Sequence, residues 1–210
     1  DFCLSRGLGD VYKRQDAAIA EASRCLDELK MVGIGLACSV AGQPLDDPAF
    51  DPFWAELNRR KTTVFLHPSF RSRDPHLNDY YLHSIIGACL EDSIAALRLV
   101  LSGLTTRYPD VNIIIPHFGG MLTSILPRIE RHGDRSKLNR LYFDCANGWE
   151  PALRCACEAF GAGHIMLGTD FPYIGSIKEN VDYVLNSKLT PDEKETILDR
   201  TAAKLLGLAA

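Results

Sequence analysis

Three stretches of the chain share one pattern, an apolar, β-branched run of strand length that stops at a titratable side chain. Asn112 to Ile115 leads through Pro116 to His117, and Gly119 and Gly120 reverse the chain at once. Thr62 to Leu66 stops at His67, where the following Pro68 cannot donate to a sheet ladder. The run from Ile165 stops in the same way at Asp170, ahead of Phe171 and Pro172. The pattern predicts three strands that each present a His or an Asp at the C-terminal end. In parallel α/β proteins that edge is where ligands and chemistry sit.

The segments between these runs change period from two to between three and four. From Asp16, the positions Ile19, Ala22, Cys25, Leu26 and Leu29 predict an amphipathic helix, and Gly33 to Val40 a short buried strand. Pro48 to Arg60 carries Phe50, Phe53, Trp54 and Leu57 on one side and reads as a helix. Residues 68 to 84 have no period and read as a long loop. A helix follows over Ile85 to Gly103, with Ile94, Leu97, Leu101 and Leu104 spaced for burial. Further helices are expected over Leu122 to Arg131 and Glu150 to Phe160, with a strand at Leu141 to Asp144. Thr190 is an N-cap followed by Pro191 and Glu193, and that last helix runs to Leu206 and closes at Gly207. Five strands alternating with helices are the signature of a parallel α/β fold.

Residues 1 to 15 have neither period and join abruptly to the helix that follows. They read as a non-native leader similar to translated adapter sequence, which leaves residues 16 to 210 as the folded part. Gly7-Leu8-Gly9-Asp10 completes no glycine fingerprint and is not read as a phosphate loop.

Composition narrows the partners. With 46% apolar and 24% charged residues, 210 residues suffice for a real core. A net charge of −4 offers no basic field for nucleic acid or an anionic membrane surface, which points to a small-molecule partner. No apolar run approaches the ~20 residues that span a bilayer, and no signal-peptide pattern opens the chain. Seven cysteines, an odd number at irregular spacing, argue for reduced thiols in a cytoplasmic setting rather than a disulfide framework. Cys155 and Cys157 are two apart and would face different sides of a helix, so they cannot serve one metal.

His67, His117 and Asp170 are the candidate chemistry. Two imidazoles and a carboxylate suit a borderline divalent cation such as zinc, or manganese if more oxygen ligands join. Such a cation would polarise a carbonyl or carboxylate, and an unligated histidine beside it could move a proton. His76, His83, His132 and His164 lack the strand-end position and read as surface or capping residues. Asp144 also ends a strand and by position is a candidate fourth site residue; the alternative, slightly favoured, is that its carboxylate caps the turn at 146–148. Phe70, Phe118 and Phe171 each follow a site residue and suit either an aromatic pocket or core packing.

These residues resemble a family. His67-Pro68, then Ser102-Gly103 and Arg107-Tyr108-Pro109, His117-Phe118-Gly119-Gly120, Tyr142-Phe143-Asp144 and Gly168-Thr169-Asp170-Phe171-Pro172 are similar, in order and spacing, to the amidohydrolase-related decarboxylases. Aminocarboxymuconate semialdehyde decarboxylase and γ-resorcylate decarboxylase are members, and the resemblance runs over about residues 16 to 208. It implies a metal-dependent (β/α)8 TIM barrel that removes CO2 without oxidation from an aromatic or unsaturated carboxylate. It further implies that His67 and Asp170 are metal ligands and that His117 is the unligated catalytic histidine, paired in function with Asp170.

Family members open with a strand carrying His-x-His or Glu-x-His, and no such pair precedes His67. The length is also below the ~250 residues usual for a whole barrel, so the expectation is an incomplete barrel of about the last five β/α units. With two metal ligands instead of the three or more usual in catalytic sites, weak metal binding and no turnover are expected of these residues alone. A homo-oligomer is compatible with the pattern. Two other functions fit the same residues, a metal-dependent hydrolase of a lactone, ester or amide and a non-catalytic barrel remnant.

Overall fold

The structure, a computed structural model, describes residues 2–4, 15–69, 74–146, 148–173 and 176–208. The chain divides into two compact units, Asp1–Ile113 and Ile114–Ala210, with the boundary inside one strand. Both are parallel α/β structures.

In the first unit, β1 (Phe2–Leu4), β2 (Gly33–Ala37) and β5 (Thr63–His67) lie side by side in that order. β1 was not expected, because three residues are too few to display a period. Its parallel pairing, Phe2 with Gly33 through Leu4 with Gly35, is what defines it. The residues between β1 and Gln15 lie outside the described residues, and with them the Gly7 to Asp10 stretch. β2 and β5 pair in parallel from Gly33 with Thr63 to Ala37 with His67, and the Cys38 N–H extends the ladder to the His67 carbonyl at 3.1 Å. His67 is therefore held at the end of its strand. The expected strand over Gly33 to Val40 breaks at Cys38, and β3 (Ser39–Val40) turns away to pair antiparallel with β4 (Gln43–Pro44). β6 (Asn112–Ile115) opens in this unit, where the Asn112 N–H reaches the Thr62 carbonyl at 3.2 Å.

Helices α1 (Gln15–Ser23) and α2 (Asp51–Arg59) connect these strands and pack on each other. Phe53, Trp54 and Leu57 of α2 are at most 3% exposed, and the Trp54 indole N–H donates to the Leu45 carbonyl at 2.8 Å. Each such buried side chain is worth about 1.5–3 kcal/mol. The Arg59 to Glu56 pair is screened by solvent and adds little, so the apolar face is what anchors α2.

α3 (Ala88–Leu101) follows a π-helical turn at His83–Gly87 and buries a different face from the one its sequence suggests. Ile94 and Leu101 are 49% and 50% exposed and Leu97 is half-buried, while Asp92, Ala95, Ala96 and Leu99 are buried. Of the expected positions Leu104, at the start of the short α4 (Leu104–Arg107), is buried. Both faces carry apolar residues at helical spacing, and periodicity alone does not choose between them. The small alanines let the helix axis approach closely, and that decides the face.

In the second unit, β6 continues at Ile114 and lies beside β7 (Leu141–Asp144) and β8 (Ile165–Met166). β7 and β8 pair in parallel, Phe143 with Ile165 and Asp144 with Met166. The expected strand to Asp170 ends early, because the Leu167 N–H leaves the ladder for the Ile197 carbonyl at 2.9 Å. α5 (Leu122–His132) and α6 (Glu150–Phe160) follow, and the Phe143 and Phe160 rings stack at 4.3 Å. α7 (Ile177–Leu185) has a Ser176 to Glu179 capping box, and the expected box at Thr190 and Glu193 starts α8 (Pro191–Glu195). A π-helical turn at Thr196–Arg200 and α9 (Thr201–Leu206) complete that helix, which closes at Gly207 with φ 64°.

Leu99→Ala is expected to lower stability by about 2–4 kcal/mol, against less than about 1 kcal/mol for Ile94→Ala on the open face, read as shifts of the urea unfolding midpoint. The thiols make a second expectation. Burial pushes Cys145 up to about 11, and burial together with the Asp92 carboxylate pushes Cys38 up, whereas Cys155 is exposed. Since the thiolate is the nucleophile, iodoacetamide at pH 8 should label Cys155 in the native chain and reach Cys38 and Cys145 only after unfolding, as read by peptide mass spectrometry.

Candidate functional site

After β6 the backbone takes left-handed values at four residues in a row, His117 at φ 54°, Phe118 at 56°, Gly119 at 74° and Gly120 at 67°. For the two non-glycine residues this costs on the order of 1–2 kcal/mol each. Something must hold the turn. The His117 N–H donates to Asp144 Oδ1 at 2.8 Å, and the same oxygen accepts the Ala146 N–H at 3.1 Å. The expected cap of the turn after β7 is therefore present, and it extends to His117. Gly119 packs closely, since a Cβ there would stand 2.7 Å from Leu122 Cδ1 and 2.8 Å from the Phe143 ring.

The His117 imidazole faces Asp170. Nε2 stands 3.8 Å from Asp170 Oδ2, and the two side chains are 6% and 18% exposed. That is too long for a hydrogen bond. Two atoms each about 2.0–2.2 Å from one cation stand about 3–4 Å apart, so a third atom, a cation or a substrate oxygen, fits against both. Asp170 lies four residues past β8, at φ 51°. It is brought there by Gly168, where a Cβ would come within 2.5 Å of Asp144 Cγ. The loop is tied to α7 by Asn180, whose side-chain N–H donates to the Thr169 carbonyl at 3.4 Å and the Ser176 carbonyl at 3.1 Å. The Tyr183 hydroxyl donates to the Cys145 carbonyl at 2.8 Å, and its ring lies where a Gly148 side chain would be.

In the first unit His67 is half-buried, with Nδ1 3.0 Å from the Pro68 carbonyl. A carbonyl can only accept, so Nδ1 is the donor in this contact, and Nε2 is the ring nitrogen open to a metal. The loop after it is held by Glu91, whose carboxylate accepts from the Ser69 N–H at 2.8 Å and hydroxyl at 3.0 Å. A cavity of about 260 Å³ in the same unit is lined by Cys38, Leu45, Asp46, Ile94 and Arg98, where Arg98 pairs with Asp46.

His164 caps, as expected, with Nδ1 2.9 Å from the Leu141 carbonyl and its ring stacked on Tyr142 at 5.2 Å. Phe118 is core, Phe171 is exposed, and Phe70 lies outside the described residues. Sequence reasoning missed Gly168, Asn180 and Tyr183. Gly168 alone carried a signal, a glycine two residues ahead of the site aspartate. Gly119→Ala is expected to cost about 2–4 kcal/mol, because the added methyl meets packed atoms as well as the left-handed backbone. Gly103→Ala, at φ 77° with open space around it, should cost about 1 kcal/mol on the same denaturation curves.

A model of the amidohydrolase family matches residues 7–208. The 2-amino-3-carboxymuconate-6-semialdehyde decarboxylase of Dictyostelium discoideum is 26% identical over 219 residues, which cover 96% of this chain and 61% of the relative. A gamma-resorcylate decarboxylase of a Rhizobium species is 29% identical over 224 residues, covering 91% and 66%. A dihydroxybenzoic acid decarboxylase from Polaromonas, solved with bound manganese and the inhibitor 2-nitroresorcinol, matches with a TM-score of 0.80 at 25% identity, over 92% of this chain and 66% of that one. The chain thus spans less than two thirds of the length of these relatives. The parallel α/β architecture is that of this barrel group. By its match over residues 7–208, the chain belongs to the amidohydrolase family.

Proposed function

We propose that the site serves a metal-dependent, non-oxidative decarboxylase acting on an aromatic or unsaturated carboxylate. The observation that carries this reading is the buried His117 imidazole facing Asp170 across 3.8 Å, in a chain whose named relatives are decarboxylases. Losing CO2 without oxidation exchanges a carbon–carbon bond for a carbon–hydrogen bond. One proton must arrive at the carbon that carried the carboxylate. Imidazole is the side chain best able to hold and release a proton near neutral pH. His117 is assigned that transfer, with its backbone fixed by Asp144 and its ring away from bulk water.

His67 and Asp170 would hold the divalent cation. The Nδ1 proton of His67 on the Pro68 carbonyl and the half-buried Asp170 carboxylate are the donor chemistry a zinc or manganese ion takes. When bound, the cation supplies polarisation of the substrate's carboxylate or hydroxyl oxygens. Nitrogen donors suit zinc, and manganese is the ion in the Polaromonas structure, so both are to be tested. No helix among the described residues is long and apolar enough to cross a membrane. The odd number and irregular spacing of the seven cysteines support placing the enzyme in the cytoplasm.

Metal uptake is the primary measurement, by calorimetric titration of the purified chain with manganese and with zinc. With two assigned ligands it is expected to be weak, and weakened by a further tenfold or more in His67→Ala and Asp170→Asn, with His76→Ala unchanged. His117→Ala should keep the metal and lower any CO2 release from a panel of hydroxybenzoates by roughly 10²–10⁴-fold. Uptake indifferent to Asp170→Asn would overturn the metal assignment. Lactone ring opening in place of CO2 release would replace the decarboxylase with a hydrolase.

A further inference from the structure

We propose that Asp144 is a positioning residue that sets the spacing between His117 and Asp170, from a place where it need not touch substrate. The inference rests on the function proposed above for those two residues and extends it to a third.

Asp144 is 6% exposed at the last position of β7, and each side of its carboxylate meets a different site residue's loop. On one side, Oδ1 accepts the His117 N–H at 2.8 Å, the first residue of the left-handed turn. On the other, Gly168 lies so close that a Cβ there would stand 2.5 Å from Asp144 Cγ and 2.7 Å from Oδ2. Asp170 follows Gly168 by two residues. A cap for its own strand would need only the Ala146 N–H, which the same Oδ1 also accepts at 3.1 Å. The second donor comes from a residue 27 positions earlier in the chain. Displacing the carboxylate would release the His117 backbone and remove the floor on which the approach to Asp170 rests. Because Oδ1 is used purely as an acceptor, an asparagine, which keeps an acceptor oxygen and the same size, should replace it in part.

The test compares amide hydrogen exchange, read residue by residue by NMR, in the wild-type chain, Asp144→Asn, Asp144→Ala and Gly168→Ala. The Cys145 N–H, which donates to the Met166 carbonyl at 2.9 Å, reports whether β7 and β8 remain paired. In Asp144→Ala the His117 amide should exchange roughly ten- to a hundredfold faster while Cys145 keeps its protection. Asp144→Asn should stay within about tenfold of wild type. If Asp144→Ala does not fold, Gly168→Ala answers instead, since its methyl displaces the carboxylate and should also accelerate exchange at His117. The proposal is overturned if His117 keeps wild-type protection in Asp144→Ala or Gly168→Ala, or if Asp144→Asn loses as much as Asp144→Ala. It is also overturned if His117 and Cys145 lose protection together in every variant, the result a general loss of structure would give. In metal-loaded protein, kcat for CO2 release should fall in Asp144→Ala with KM nearly unchanged and recover in part in Asp144→Asn. If the set opens lactones and releases no CO2, the decarboxylase reading has failed; if it turns over neither, that is what two metal ligands alone predict, and in both cases the exchange pattern decides the role of Asp144.

Discussion

A strand pairs in parallel with its neighbour only after the chain has returned to the edge where the neighbour began, and that return takes a dozen or more residues, usually as a helix. Within each unit this constraint sends the C-terminal ends of all the paired strands to one side. The placing of the candidate site residues follows from it. His67 ends β5, Asp144 ends β7, His117 stands two residues past β6 and Asp170 four past β8. None of these residues is near another in sequence. The helices that separate them serve first to bring the chain back.

What the ladder cannot do is aim a side chain once the strand has ended. That is left to short-range packing, and each site residue is handled differently. His67 is clamped by one more ladder bond and by its own ring on Pro68. His117 is turned through a left-handed stretch that glycines complete. Asp170 is reached through Gly168, which passes over Asp144 closely enough to exclude any side chain. The glycines matter here for space and for backbone sign, and the carboxylate they surround is what gives the turn its fixed reference.

The strands ending at His67 and Asp144, the helix Glu150–Phe160 and the cap at Thr190 were legible because their signals are local: a β-branched run, a period, a hydroxyl three residues ahead of a glutamate. The strand-end positions of His67, His117 and Asp170, the candidate site residues, were legible for the same reason, since each follows an apolar run. The buried face of α3 was not, because alanines and leucines compete there at equal spacing and the partner surface decides. The early end of β8 depends on a carbonyl at Ile197, a residue no local pattern links to Leu167. Asn180 and Tyr183 act through backbone carbonyls of Thr169 and Cys145, and a hydrogen bond to a carbonyl leaves no mark on the residue that accepts it.

The left-handed stretch from His117 to Gly120 bears on the order of folding events. Two local backbone bonds close the turn, Gly119 N–H to the Pro116 carbonyl and Gly120 N–H to the His117 carbonyl, both at 2.9 Å, but the acceptor for the His117 N–H arrives with β7, 27 residues later. Helices such as α5 form from neighbouring residues, whereas the His117 turn is completed only when a distant strand has docked. The fixed position of His117 is therefore among the last things the chain acquires. It should be among the first it gives up when the end of β7 loosens, well before the helices around it melt.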